Sequence, residues 1–453
     1  MKFFILLFTL IFITTHCEGC GSINVITNSY CFNNVLYFGD QDKKYRAGHF
    51  AINTKGDLIV EYSSNQYRLF YGLKKNGKFF FENVTKKIEI QNEALSNTTR
   101  GRYESINSFV SRDTDLNKEK EYLLSISSYI TVLELHDLEE DTFDVIEATN
   151  FFGDDEGIYS FIFQLLEIKY RESNLYLLVY VSCQTEYGVY IKPFQFSNAN
   201  FNSFTSYNER PIVRSGNYRI TSSFVLSTYN LIAIFYMYND WINFNIINYE
   251  LNTIYNNNSF IKYQGQDSYQ GKGVFFKALN LNDTYAAFVY FYNERYFKFN
   301  ILFYNENTYT FHVNNAKDFN QTSYSSSITL NEFIKIDNNR LVMLSNFDNS
   351  NPHYLYIIFF DLYDDYKKII IRYYMINYHS ENINAFSTEI SSFAYNDFLI
   401  LTGTLSQINE NGDISLLILF GYPNGTDFEL DISSYFIDSD NYNASKNLFN
   451  DLQ

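Results

Sequence analysis

The chain has 453 residues, and its 51 Asp and Glu outweigh 34 Lys and Arg to give a formal net charge of -17. That balance argues against nucleic acid and anionic membrane as partners, since both need a basic face. With 42 Tyr and 45 Phe but one Trp, the aromatics suggest either a contact surface or a compositional bias toward Asn, Tyr, Phe, Ile and Lys, and bias is the simpler reading.

The chain opens MKFFILLFTLIFITTHCEGCGS. One Lys precedes an apolar run from Phe3 to about Thr15, and small residues follow. This is the layout of a secretory leader and is short for a bilayer span. The expectation is a leader over residues 1–19, removed on export, and a secreted chain; a membrane anchor is the alternative. In an oxidising compartment Cys20 and Cys31 are expected to form a disulfide. Cys183 lies in the apolar run LYLLVYVSCQ and reads as a buried thiol. Residues 20–46 hold two strand-like runs, expected to add an outer strand to the last repeat or to cap the first.

A repeat then begins. Apolar strands follow Asp57 and start at Glu121, Leu175, Asn230, Thr284, Arg340 and Asp397, in steps of about 64 and then 54 to 57 residues. A period of this size marks a repeat architecture. Each such strand is preceded by a shorter one (FAIN, FVLS, FKALN) and followed by an alternating third strand and a variable fourth. The second strands are almost continuously apolar, as strands buried on both faces are. The third alternate, as half-buried strands do. Short polar links such as YND, YNER and DNSNP read as hairpin loops. The predicted fold is all-β: a seven-bladed β-propeller of four-stranded antiparallel blades over residues 47–436, with a polar tail at 437–453. A tandem of β-sandwiches would need units of about 100 residues.

The first unit, AINTKGDLIVEYSSNQYRLFYGLKKNGKF, resembles an NHL-type propeller blade at Asn53, Gly56, Arg68 and Gly77. The resemblance covers one blade and implies architecture only. The other six units lack these glycines, so no binding residue follows from it.

Seven Asn-x-Ser/Thr sequons, at Asn83, Asn97, Asn257, Asn282, Asn320, Asn424 and Asn443, mark expected surface glycosylation sites in a secreted chain. No cofactor is expected. The histidines His49, His136, His312, His353 and His379 are scattered over different blades, and a metal site needs a cluster with ligand spacing. Asp113 with Asp115, Asp154 with Asp155 and Glu156, and Asp438 with Asp440 form acidic loops. None continues as an EF-hand, and FGDDEG is the weak calcium candidate. No hydrolase elbow, metalloprotease, P-loop or dinucleotide motif is present.

The functional expectation is a secreted, non-catalytic platform that recognises an extracellular protein or glycan through loops on a rigid scaffold. The aromatic connectors between blades supply the candidate contacts: Tyr218, Tyr263, Tyr269 and Tyr324. A glycan hydrolase with its site in the central channel, or a structural coat protein, is the alternative. Direct insertion of the mature chain in a membrane is not expected, because no second run of about 18 apolar residues follows the leader.

Overall fold

The computed structural model describes thirty strands. It also describes the turns at residues 207–209, 227–230, 249–252, 281–284, 306–309, 338–339 and 364–367. Side chains are described for stretches between residues 164 and 371. No α-helix occurs among the described residues; one 3₁₀ turn spans Ser227–Tyr229.

Strand β1 is Ile23–Ile26. Sheet one contains β2 (Phe50–Ile52), β3 (Leu58–Ser63), β4 (Tyr67–Asn76) and β5 (Phe80–Gln91). Sheet two contains β6 (Phe109–Asp113), β7 (Lys120–Ile126), β8 (Tyr129–Leu135) and β9 (Phe143–Asn150). Sheet three contains β10 (Ser160–Tyr170), β11 (Ser173–Ser182), β12 (Gly188–Phe196), β13 (Phe204–Ser206) and β14 (Arg210–Arg214). Sheet four contains β15 (Tyr218–Leu226), β16 (Leu231–Tyr238), β17 (Trp241–Asn248) and β18 (Thr253–Lys262). Sheet five contains β19 (Phe276–Asn280), β20 (Tyr285–Asn293), β21 (Tyr296–Asn305) and β22 (Thr310–Asn320). Sheet six contains β23 (Ile328–Asp337), β24 (Arg340–Phe347), β25 (Tyr354–Tyr363) and β26 (Lys368–Asn377). Sheet seven contains β27 (Ile383–Tyr395), β28 (Phe398–Gln407), β29 (Ile414–Asn424) and β30 (Asp427–Glu429).

Each sheet is an antiparallel meander in chain order. First strands of successive sheets lie side by side: β10 by β15, β15 by β19, β19 by β23 and β23 by β27, while β27 also meets β2. Four-stranded sheets stacked through their first strands make the architecture a β-propeller.

Two sheets carry a fifth strand. The outer position of sheet three is divided, with β13 and β14 both pairing with β12. Gly188 permits this, because a Cβ there would meet the Val213 carbonyl oxygen at 2.5 Å. Strand β1 adds parallel to β26, with Ile23 opposite Tyr373. This departs from the sequence expectation: the N-terminal strand completes sheet six, not the first or last. Its four residues, INVI, offer the short apolar edge that β26 lacks a neighbour for.

The core lies between sheets. In β16, residues Leu231–Met237 are all buried, and in β17 so are Ile242–Ile247. Phe235 sits among the rings of Phe224, Phe244, Phe288 and Phe311, with centroids 5.4 to 5.8 Å away. Phe299 of sheet five stacks on Phe360 of sheet six at 4.3 Å. Much of the phenylalanine content in these sheets is therefore inter-sheet packing, where large rings bury most apolar area per residue.

Candidate recognition face

A polar ladder sets the relative heights of the sheets. Gln164 Nε2 donates to the Ser223 carbonyl, and its Oε1 accepts from Ser223 N. Ser222 Oγ donates to the Ala278 carbonyl and accepts from Ala278 N. Asn280 Nδ2 donates to the Val225 carbonyl at 2.7 Å, and Lys335 Nζ to the Leu281 carbonyl at 2.7 Å. Each rung links residues one repeat apart, so β10, β15, β19 and β23 run in the same direction. Burial lowers the Lys335 pKa, against a raising contribution from Asp337. The described turns between first and second strands in sheets four to six (227–230, 281–284 and 338–339) therefore emerge on one face, together with those between third and fourth strands (249–252, 306–309 and 364–367).

On that face, the turn of sheet five clamps both neighbours. The Asp283 carboxylate accepts hydrogen bonds from Ser227 N (2.9 Å), Ser227 Oγ (3.1 Å) and Thr228 N (3.1 Å), and from the Thr228 hydroxyl. Burial alone would raise this carboxyl; the donors from Thr228 and Ser227 outweigh it and hold the pKa below the ordinary value. On the other side Asn282 Nδ2 donates to the Tyr366 hydroxyl at 3.1 Å. Asn282 Oδ1 also accepts from Thr284 N and Tyr285 N, closing its own turn.

The turns between third and fourth strands share an unusual backbone. Leu251 in sheet four (φ 63°), Tyr309 in sheet five (φ 55°) and Asp364, Asp365 and Tyr366 in sheet six (φ 52°, 50° and 67°) are all left-handed. None is glycine, so each is disfavoured sterically. At two of them the residue's packing offsets that cost. Tyr366 is 9% exposed and packs on Tyr285 at 5.0 Å, and Leu251 packs on the cluster between sheets three and four. Burial raises the Tyr366 hydroxyl pKa, with Asp365 adding to it against the bond from Asn282.

Between the turns of sheets five and six lies an open cleft of about 600 Å³. Its lining includes Asn282, Tyr285, Asn339, Tyr363, Asp364 and Asp365. Tyr363 and, on the neighbouring turn, Tyr309 are each 40% exposed. Lys368 Nζ lies 5.7 Å from the centre of the Tyr363 ring. Below the rim, Arg340 Nε pairs with Asp361 Oδ1 at 2.8 Å, with side chains 11% and 5% exposed. Glu250, Asp283, Glu306, Asp364 and Asp365 put five carboxylates on the described turns of sheets four to six, with Asp337 at the end of β23 and Lys367 on the last turn. The face is acidic and rich in tyrosine and asparagine.

Of the four tyrosines singled out in the sequence, one is described. Tyr218 begins β15 opposite Tyr238, so it lies in a strand and not in a connector, at the end of sheet four away from the turn face. The run RIT behind it continues the β-prone pattern, which lengthens the first strand. Tyr263, Tyr269 and Tyr324 lie outside the described residues, as do Cys20, Cys31 and Cys183. Among the sequons, Asn83 lies within β5, Asn424 ends β29 and Asn320 ends β22. Asn257 is half-buried in β18, where its Oδ1 accepts from Ser259 N. Asn97 and Asn443 lie outside the described residues, and the seventh sequon residue, Asn282, lies in the turn at 281–284 with its amide on the Tyr366 hydroxyl, a bond made by the unmodified side chain. His312 is exposed in β22, 3.0 Å from Thr310 Oγ1, and His49, His136, His353 and His379 are outside the described residues. So are Asp115, the FGDDEG loop, Asp438 and Asp440, while Asp113 ends β6. No group of three or more potential metal ligands occurs among the described residues. Of the positions resembling an NHL-type blade, Arg68 lies in β4 opposite Ser63, and Asn53, Gly56 and Gly77 lie outside.

No protein-family model matches the chain, and no curated protein matches it. Similar solved structures include the Dos1 propeller, at 11% identity over 84% of this chain and 84% of that one with a TM-score of 0.42. The WD40 domain of SCAP from fission yeast is similar at 10% identity, over 84% and 82%, with a TM-score of 0.39. A protein from Lactobacillus plantarum is similar at 8% identity, over 82% and 88%, with a TM-score of 0.32. At these scores the fold assignment rests on the strand pairing of this chain.

Proposed function

We propose that the chain is a closed ring of seven blades that works outside the cell, after loss of the leader at 1–19, as a non-catalytic platform for recognising another protein. The observation that carries this reading is the turn face of sheets four to six. It presents exposed Tyr309 and Tyr363 and a set of carboxylates around a cleft, on turns locked to one another by Asp283 and Asn282. Tyrosine gives large contact area at low conformational cost, and a rigid scaffold removes the entropy of ordering loops on binding. The acidic balance favours a partner with a basic surface, through complementary potentials that also speed association. The described first strands commit Gln164, Ser222, Ser223, Asn280 and Lys335 to the inter-sheet ladder. Side chains spent in this way are not available to a reacting centre, which favours recognition over hydrolysis.

The test is affinity capture from the source cell's surface extract with residues 20–453 from a secretory host. A turn-face variant, Glu306→Lys with Asp364→Lys and Asp365→Lys, is run beside Tyr218→Ala with Tyr263→Ala, Tyr269→Ala and Tyr324→Ala. A saturable protein partner retained by the wild type and lost by the turn-face variant supports the reading. Loss only with the second variant moves the contact away from the turn face to those four tyrosines. Recovery of glycans alone, or of nothing from a folded protein, overturns it.

A further inference from the structure

We propose that Asn282 carries an N-linked glycan in the exported protein, and that the first sugars of this glycan occupy the cleft between sheets five and six. This rests on the reading that the chain works outside the cell, and it names what the turn face presents there.

Two independent observations meet at one side chain. The first is a modification signal in the sequence. Asn282-Asp283-Thr284 is an Asn-x-Thr sequon, and such an acceptor belongs in a surface loop of a secreted chain. Of the seven sequon asparagines, Asn257 and Asn282 are those whose side chains are described. Asn257 is half-buried within β18, while Asn282 is exposed in the turn at 281–284. A bulky sugar fits the turn better than the strand. The second observation is a cavity beside the same amide. Asn282 lines the open cleft of about 600 Å³, together with Tyr285, Asn339, Tyr363, Asp364 and Asp365.

The modification is compatible with the clamp. The anomeric carbon of a lipid-linked glycosyl diphosphate bonds to Asn282 Nδ2. Its bond to the diphosphate oxygen breaks, the diphosphate leaves with the electron pair, and Nδ2 gives up one proton. One N–H remains to donate to the Tyr366 hydroxyl, and Oδ1 still accepts from Thr284 N and Tyr285 N.

The cleft suits a neutral polyol. Sugar hydroxyls both donate and accept, carboxylates accept, and the Asn339 amide does both. Tyr285 and Tyr363 add ring surface for the apolar side of a sugar. Lys368 approaches the Tyr363 ring, 5.7 Å from its centre, without lining the cleft. Weak contacts are enough here, because a covalent tether presents the sugar at an effective concentration of about millimolar. A seat too weak to capture a free saccharide still holds an attached one.

The test uses the protein purified from its source cell. Its sequon peptides are read by mass spectrometry before and after treatment with an amidase that releases N-glycans and leaves Asp in place of Asn. Asn282 is expected to be modified. Release from the folded protein is expected to be at least about tenfold slower at Asn282 than from the denatured protein, since it follows the fraction of time the sugar spends out of its seat. Tyr363→Leu with Asn339→Ala, made in a secretory host beside the wild type, should narrow that gap to about threefold or less and leave the other sequons unaffected. An unchanged near-ultraviolet circular dichroism spectrum confirms that this variant is folded. An unmodified Asn282 overturns the proposal, and so does equal release from wild type and variant. The readings fail separately. Glycans at other sequons with Asn282 bare sink the inference and spare export. Bare asparagines at every sequon sink both. A glycan seated at Asn282 without any captured partner spares the inference and sinks the platform.

Discussion

Asn282 Nδ2 donates to the Tyr366 hydroxyl at 3.1 Å, tying the first turn of sheet five to the last turn of sheet six. The amide is exposed and the ring is buried, so the two halves of this contact differ in weight. Tyr366→Phe removes one hydrogen bond whose donor water can satisfy, and should cost less than about 1 kcal/mol. Tyr366→Ala loses the ring packed on Tyr285 and should cost about 3 kcal/mol. Urea midpoints at constant m-value separate the two; equal losses would mean that the hydroxyl, and not the ring, holds the turn.

Asp283 makes the opposite clamp pH-dependent. Its carboxyl is held below the ordinary value by Thr228 and Ser227. A depressed folded pKa gives stability that is fully present above the unfolded pKa and is lost as pH falls through the folded one. The gap in urea midpoint between wild type and Asp283→Asn should be constant above about pH 5 and should close in the acid range. A gap independent of pH would show that the charge of Asp283 contributes nothing.

Tyr304 is 2% exposed, and its hydroxyl has no hydrogen-bond partner among the described groups. Burial drives its pKa above the ordinary phenol range, with Tyr309, Tyr229 and Glu306 adding to the shift. Replacing an unsatisfied buried hydroxyl by hydrogen removes a desolvation penalty. Tyr304→Phe should therefore be neutral or stabilising by about 1 kcal/mol in the same urea assay. A clear loss would reveal a partner for the hydroxyl.

Arg340 and Asp361 form a nearly buried pair. Arg340→Leu alone removes the opposite charge from a buried carboxylate and should cost about 3 to 5 kcal/mol. Adding Asp361→Leu should recover most of that loss, because a buried pair and a packed apolar pair are of similar worth. A double variant no better than the single one would mean that the charges specify the hairpin of β24 and β25.

The repeat was legible because second strands must be apolar on both faces, and β16 shows it: every residue from Leu231 to Met237 is buried. The first strand of sheet four is longer than the run FVLS suggests, spanning Tyr218–Leu226, because its outer end carries polar residues that resemble a connector, whereas FKALN matches β19. The recognition face was not legible. Its turns have no glycine to announce the left-handed backbone at Asp364, Asp365 and Tyr366. The clamp of Asp283 joins residues one repeat apart, a relation visible once blades are superposed and invisible within any one of them. The split edge of sheet three was missed for a similar reason, since RPIVR follows a fourth strand that is only three residues long.

Strand β1 pairs with β26 in a register that sets Ile23 against Tyr373. The first described strand to be made must therefore wait for a partner synthesised roughly 350 residues later. The thermodynamic cost of so long a closure is modest, since each doubling of loop length adds only about 0.6 kcal/mol. Its kinetic cost is larger, because contacts this distant in sequence form late. Blades can mature one after another as the polypeptide emerges, while INVI stays unpaired and open to the wrong edge. Correct assembly of this protein is thus a matter of timing: the opening segment has to be kept idle until the sixth sheet exists to receive it.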